Sequence, residues 1–260
     1  MGLPVTESAA QRRIALLLEY EGTRYAGSQF QANAATIQGE LEAAIGKATG
    51  ERARASFAGR TDSGVHALGQ VAAFTTTSRL DPQTMRDALN AWLPRDIAVL
   101  AAADADLSFD PRRQALRRTY RYVIENRAVR PAIGRDLCWY VAKPLDIEAM
   151  QAAAPALVGE HDFAAFGGAL EEPGASTVRR LEAFEVRREG SRVTIEVTAN
   201  AFLPHQVRRM TGALVQVGLG RLTPEAYGAL LVAAPSSAGP AAPARGLYLV
   251  RVEYERDPFA

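Results

Sequence analysis

Between Phe57 and Phe74 the chain reads FAGRTDSGVHALGQVAAF. Two apolar stretches, each long enough for a strand, enclose Arg60, Thr61, Asp62, Ser63, Gly64 and His66. Core strands normally exclude charge. A fold that accepts this segment must therefore turn the chain at a polar point between two buried strands. Gly59 and Gly64 flank the charged residues and permit a tight turn. Arg60 and Asp62 lie two apart and share a face in extended chain. Taken alone, the segment also reads as an ordinary turn in which Asp62 bonds its own backbone.

The surrounding sequence alternates short strands with helices. RIALLLEY (13–20) is strand-like, EGTRYAGSQFQANAA is a polar loop, and TIQGELEAAIGKATG has helical spacing through Ile37, Leu41, Ala44 and Ile45. GQVAAFTTT reads as a strand. Asp81-Pro82 caps a helix through Met85, Leu89 and Trp92, and DIAVLAAADA returns as a strand. The second half repeats the mixture: a strand in RRTYRYVIEN, a helix IEAMQAAAPALVG capped by Asp146, and a hairpin turning at Glu189-Gly190. A helix in PHQVRRMTGALVQVGLG, a short one opened by Thr223-Pro224-Glu225 and a closing strand GLYLVRVEY follow. The hairpins argue against a purely parallel sheet, so the pattern predicts an α+β chain with weak internal duplication. The stretch 234–246, rich in Ala, Pro, Ser and Gly, reads as a surface loop.

With 260 residues, 48% of them apolar, the chain can bury a large core. A net charge of +1 excludes a globally basic nucleic-acid binder and leaves a local basic patch open. All but two of the 30 basic residues are arginine, the exceptions being Lys47 and Lys143. Cys138 stands alone, so no internal disulfide or cysteine metal cluster forms, which suits a reducing cytosol. His66, His161 and His205 are widely spaced, weak ground for a metal site. No run approaches a spanning helix and no secretory signal core precedes the first strand. Gly2 and Thr6 match a short myristoylation pattern that nothing else supports. The expectation is a soluble cytoplasmic protein.

Two further segments carry arginine. In FDPRRQALRRTYRY, Arg112, Arg113, Arg117, Arg118 and Arg121 crowd a strand on which Tyr120 and Tyr122 share a face, with Arg121 opposite. This is either a solvated basic edge over packed tyrosines or a phosphate-binding ridge beside aromatic rings. In ANAFLPHQVRRMTG, Arg208 borders an apolar stripe of Val207, Met210, Leu214 and Val217, where a guanidinium needs a carboxylate partner.

In order, EYEGTRYAGSQ, AGRTDSGVHALGQVAAF, RRTYRY, HDFAAF, ANAFLPHQVRRMTG and GLYLV closely resemble the TruA family of tRNA pseudouridine synthases. The likeness runs from about Arg13 to Tyr254, and AGRTDSGVHA is its most specific motif. The resemblance implies the pseudouridine synthase fold: two similar α/β halves, mostly antiparallel mixed sheets flanked by helices, and an active-site cleft between them. The expected division is a flexible segment 1–12, an N-terminal domain 13–108 carrying the Asp62 loop, and a C-terminal domain 109–260. The implied activity is isomerisation of uridine to pseudouridine at positions 38, 39 and 40 of the tRNA anticodon stem-loop, by a homodimer, with no cofactor and no metal.

Asp62 matches the family's essential aspartate, and attack at ribose or at base stays open. Arg208 matches the arginine that pairs with it, which predicts an Asp62–Arg208 salt bridge. Arg60 matches a residue that helps extrude the base, and Tyr120 the tyrosine that stacks on it and handles the C5 proton. Phe57 and Leu247 are expected to line the pocket. Arg112, Arg117 and Arg118, with Gln29 and His205, complete the expected substrate contacts. Three departures stand out: Ser28 replaces a tryptophan, Asp110 a histidine, and Pro204 a histidine. Two other classes are weaker. A tRNA-binding protein with a dead site would lack a catalytic group, and none is missing. An aspartate-nucleophile hydrolase needs a second acid near Asp62, and the local sequence has none.

Overall fold

The computed structural model describes residues 10–169 and 174–260. The Gly2–Thr6 pattern lies outside them. Among the described residues ten strands form one continuous sheet. They are β1 (Arg12–Tyr20), β2 (Ser56–Phe57), β3 (His66–Thr76), β4 (Ile97–Ala105), β5 (Ala115–Asn126), β6 (Trp139–Val141), β7 (Gly159–Asp162), β8 (Val178–Glu189), β9 (Arg192–Ala199) and β10 (Leu247–Tyr254). The main order is β4-β1-β3-β10-β5-β9-β8-β7, with β2 pairing β3 and β6 pairing β5. Every pairing is antiparallel except β3–β10 and β5–β6, so the α+β reading with a mostly antiparallel mixed sheet holds.

The β3–β10 seam decides the architecture. Only Tyr248↔His66 and Leu249↔Ala67 pair there, in parallel. Gly69 allows the backbones to pass closely, because a Cβ at this position would fall 2.3 Å from Val250 O. Five α-helices flank the sheet: α1 (Ile37–Thr49), α2 (Pro82–Trp92), α3 (Ile147–Ala153), α4 (Gln206–Gly218) and α5 (Pro224–Ala229). Helices α1 and α2 cover one side of the seam through Leu41, Ile45, Met85 and Leu89, packed on Ile14, Leu16, Leu18 and Phe74. Beyond the seam, Met150, Met210, Leu214 and Tyr227 of α3, α4 and α5 pack on Ile124, Val186, Val193 and Ile195.

The capping residues read from sequence close their helices. Asp81, Asp146 and Thr223 accept from the backbone N–H groups of Thr84, Ala149 and Ala226. Two expectations change. The helix expected to run from Ile147 to Gly159 leaves α-geometry after Ala153 and ends as a 3-10 turn, Ala154–Leu157, because Pro155 has no N–H to bond back along the helix. The 234–246 stretch is not simply a surface loop. Ala238, Ala242 and Gly246 are buried, and Ala242 exchanges hydrogen bonds with Arg208 on α4. Its small residues let it lie flat against that helix.

His66 is a structural pin at the seam. Its Nδ1 accepts from Gly22 N–H at 3.0 Å, which leaves the proton on Nε2 to donate to Arg245 O at 3.2 Å. The ring stacks on Tyr248 with centroids 4.7 Å apart. Burial lowers its pKa below the ordinary 6.5, so the folded protein favours the neutral ring. A depressed folded pKa gives stability that is present above the unfolded value and lost as pH falls. The stability advantage of the wild type over His66→Gln in urea unfolding is therefore expected to be full at about pH 7.5 and to shrink steadily below about pH 6.5. A gap independent of pH would show that His66 does not hold the seam in its neutral form.

Candidate active site

The polar turn between β2 and β3 resolves the puzzle of its sequence. Val65 N–H donates to Asp62 O at 3.1 Å, and Gly64 takes a left-handed φ of 77°. The Asp62 carboxylate is left to face outward from the turn. Arg208 Nη1 donates to Asp62 Oδ2 at 2.7 Å, so the expected salt bridge is present. The Asp62 side chain is 33% exposed and that of Arg208 18%, so the pair is partly open to solvent. Arg208 Nε is held in turn by Ala242 O at 2.8 Å.

His205 adds a second cationic candidate at the same oxygen, with Nε2 3.5 Å from Asp62 Oδ2. It occupies the N-cap of α4 with φ 61°, ψ 0°, one of two non-glycine residues with positive φ among those described. Such a conformation costs of order 1–3 kcal/mol and persists where the surroundings enforce it. Here it aims the imidazole at the carboxylate.

Tyr120 approaches from β5. Arg118, Tyr120 and Tyr122 share its inner face by alternation and all three are buried. The Tyr120 ring meets Phe202 edge-on at 5.2 Å. A methyl group on Gly59 would lie 3.6 Å from Tyr120 Oη, so the phenol sits against the backbone that leads to Arg60 and Asp62. Burial pushes the phenol well above its ordinary range, with the charges of Tyr20 and Asp62 adding to the effect and Arg118 opposing it. Tyr122 is a packing residue, donating to Pro243 O at 2.6 Å.

Several groups hold the Asp62 turn in place. Gln70 clamps Gly59, donating to its carbonyl at 2.8 Å and accepting from its N–H at 3.4 Å. Tyr20 Oη lies 2.9 Å from Thr61 Oγ1. Ser28, where the resemblance led one to expect tryptophan, is buried and binds Thr61 twice. Its N–H donates to Thr61 O at 3.0 Å, and its Oγ accepts from Thr61 N–H at 2.9 Å. Neighbouring Gly27 has φ 101°, and a Cβ there would meet Thr61 O at 2.7 Å. The departure at Ser28 thus supplies a strap next to Asp62.

The other expected contacts divide. Arg60, Arg112 and Gln29 are exposed. Partial desolvation lowers the pKa of Arg60, and the like charge of Arg112 lowers it further. Arg112 sits on a turn that Asp110 closes by accepting from Arg112 N–H and Arg113 N–H, which accounts for the aspartate at that position. Arg117 points away and pairs with Glu182 at 2.6 Å and Glu253 at 3.3 Å. Arg118 is a correction to the ridge: its guanidinium is buried and hydrogen-bonded to backbone carbonyls rather than offered to solvent. Phe57 is half-buried and packs on the core clusters either side of the seam, and Leu247 is buried opposite Tyr122. Among the described residues no group of three or more His, Cys, Asp or Glu could hold a metal. No helix there is long and apolar enough to cross a membrane.

A partly exposed acid held by a guanidinium, near a neutral phenol, can attack an electrophilic centre of a bound substrate or take a proton from it. Comparison with known proteins gives the same direction. A family model described as tRNA pseudouridine synthase matches residues 16–112 and 153–255, most of the chain. A protein of Geotalea uraniireducens named tRNA pseudouridine synthase A is 46% identical over 244 residues, covering 94% of this chain and 100% of its own. One of Acidiphilium cryptum with the same name is 46% identical over 252 residues, covering 95% and 98%. A third, of Roseiflexus castenholzii, is 45% identical over 251 residues, covering 95% and 92%.

Ser28→Ala leaves the buried Thr61 N–H without its acceptor. The expected loss is about 1–3 kcal/mol of unfolding free energy by denaturant titration. An unchanged midpoint and slope would mean that Thr61 is held without the serine hydroxyl.

Proposed function

The chain belongs to the tRNA pseudouridine synthase family, and we propose that it converts uridine to pseudouridine at positions 38, 39 and 40 of the tRNA anticodon stem-loop. The enzyme is an isomerase. The bond between N1 and ribose C1′ breaks, C5 bonds to C1′, the C5 proton leaves and N1 gains one. Atoms and electrons balance without a cofactor.

The observation that carries the reading is the partly exposed Asp62 carboxylate, fixed by Arg208 and close enough to Tyr120 to act on its phenol. Asp62 is the group that attacks or deprotonates the nucleoside. Arg208 orients it through the 2.7 Å contact of Nη1 with Oδ2. Tyr120 offers a ring face to an unstacked base. Because burial keeps its phenol neutral, it can pass the C5 proton on only by releasing its own, as a relay rather than a standing base. Arg60 and Arg112, repelling each other at the rim, are eased by a phosphate between them and can stabilise the extruded nucleotide. On this reading residues 13–108 and 109–260 act as two halves closing on one stem-loop, within a cytoplasmic homodimer.

Incubation with tRNA tritiated at uridine C5 tests the reaction. Wild type is expected to release tritium, and Asp62→Ala to fall to background while tRNA affinity stays within about threefold. Release persisting in Asp62→Ala would remove this residue from the chemistry. A mass-spectrometric map that finds pseudouridine elsewhere in tRNA would overturn the assigned positions.

For the rim, Arg112→Gln is expected to weaken tRNA binding and to reduce the slope of log affinity against log salt by about one. An unchanged slope would mean that Arg112 contacts no phosphate.

A further inference from the structure

Arg118 is a buried charge to which the reaction assigns no task. It is 9% exposed, and no carboxylate forms an ion pair with it among the described residues. Its guanidinium is spent on backbone. Nε and Nη2 both donate to Ala58 O, at 3.2 and 2.9 Å; Nη1 donates to Asn200 O at 2.9 Å; Nη2 also donates to Arg112 O at 2.7 Å. These carbonyls belong to three separate segments. Ala58 begins the run into Arg60 and Asp62, Asn200 begins the run into Phe202, His205 and Arg208, and Arg112 stands at the basic rim. The strand that bears Arg118 presents Tyr120 two residues later on the same face.

Removing a guanidinium from water is costly, and carbonyl acceptors offset that only with full, well-aligned bonding. Stability alone is served as well by an apolar side chain of similar volume. What an apolar residue cannot do is fix three backbone segments at set distances from one strand. The planar fork does this, and a lysine, with one compact ammonium, does not.

We propose that Arg118 is a positioning residue, tying the Asp62 turn, the Asn200–Arg208 segment and the Arg112 turn to the strand that carries Tyr120, and that it contacts no phosphate. It sets the spacing between the acid and the aromatic ring from behind the cleft. Displacement of about 1 Å between reacting groups can cost on the order of 100-fold in rate. The inference rests on the pseudouridine synthase reading, and tritium release by the wild type is the control that separates the two. If wild type releases none, the reading of the reaction fails first.

The experiment compares wild type with Arg118→Lys and Arg118→Met. It measures the single-turnover rate of tritium release at saturating enzyme, tRNA affinity across a salt series, and the thermal midpoint, with rates taken well below that midpoint. Positioning predicts a rate constant lowered by about 10–100-fold in both variants, with tRNA affinity within about threefold and the salt slope unchanged. If Arg118→Met does not fold, Arg118→Lys, which keeps the charge and most of the stem, decides. A retained rate constant with weaker affinity and a slope shallower by about one would make Arg118 a phosphate ligand and overturn the proposal. So would a lowered melting midpoint with a wild-type rate per folded molecule. Failure of both variants to fold would also overturn it, since the residue would then serve the whole fold rather than the site.

Discussion

The contact between Asp62 and Arg208 joins residues 146 positions apart in the chain. One lies on a turn entering β3, the other on α4, and the narrow β3–β10 seam lies between the two sides of the sheet. Nothing local to either segment would bring them together. Arg208 borders a buried stripe on its helix and would be poorly placed without a partner. Asp62 would be only a turn residue without the guanidinium that orients it. The pair is partly exposed, so its worth to overall stability is modest. Its consequence is geometric: it fixes the direction in which the Asp62 carboxylate points.

A contact of this kind can serve chemistry only if both anchors are stiff. The Asp62 turn is held by Gln70 on Gly59, by Ser28 and Tyr20 on Thr61, and by Arg118 on Ala58. Helix α4 is held by the small-residue stretch that ends at Gly246, whose Ala242 bonds Arg208 through both main chain and side chain. Tyr122 secures the same stretch through Pro243, and Gly246 leaves room for the Tyr122 ring, which a Cβ there would meet at 2.6 Å. The site is therefore rigid where the acid is mounted. Arg60 and Arg112 stand at the exposed rim.

Much of this was legible in the residues. Helix caps at Asp81, Asp146 and Thr223, the hairpin at Glu189-Gly190 and the mixed sheet follow from local chemistry, and the structure has them. The apolar stripe beside Arg208 said only that it needs an acid, and the family resemblance named Asp62 as that acid. The short strands β2, β6 and β7 were not readable, since two to four residues carry no usable period. The role of Ser28 was hidden for another reason: a serine in a polar loop looks solvated until tertiary contacts bury it. The burial of Arg118 was overlooked although the signal was present. Alternation along β5 puts Arg117 and Arg118 on opposite faces, and treating adjacent arginines as one ridge overlooks that.

The arginine excess also takes a more definite meaning from this division. Arg117 closes cross-strand pairs with Glu182 and Glu253, Arg121 pairs with Glu196, Arg208 holds the acid, and Arg118 spends its donors on carbonyls. Each of these uses up the charge or the donors internally. Other arginines, Arg112 among them, are exposed. That is how a chain of net charge +1 can present a local attraction to a phosphate backbone. Binding strength then comes from shape and a few contacts rather than from a broad field. Charges consumed within the fold release no counterions when nucleic acid arrives, so they add nothing to the salt dependence of binding.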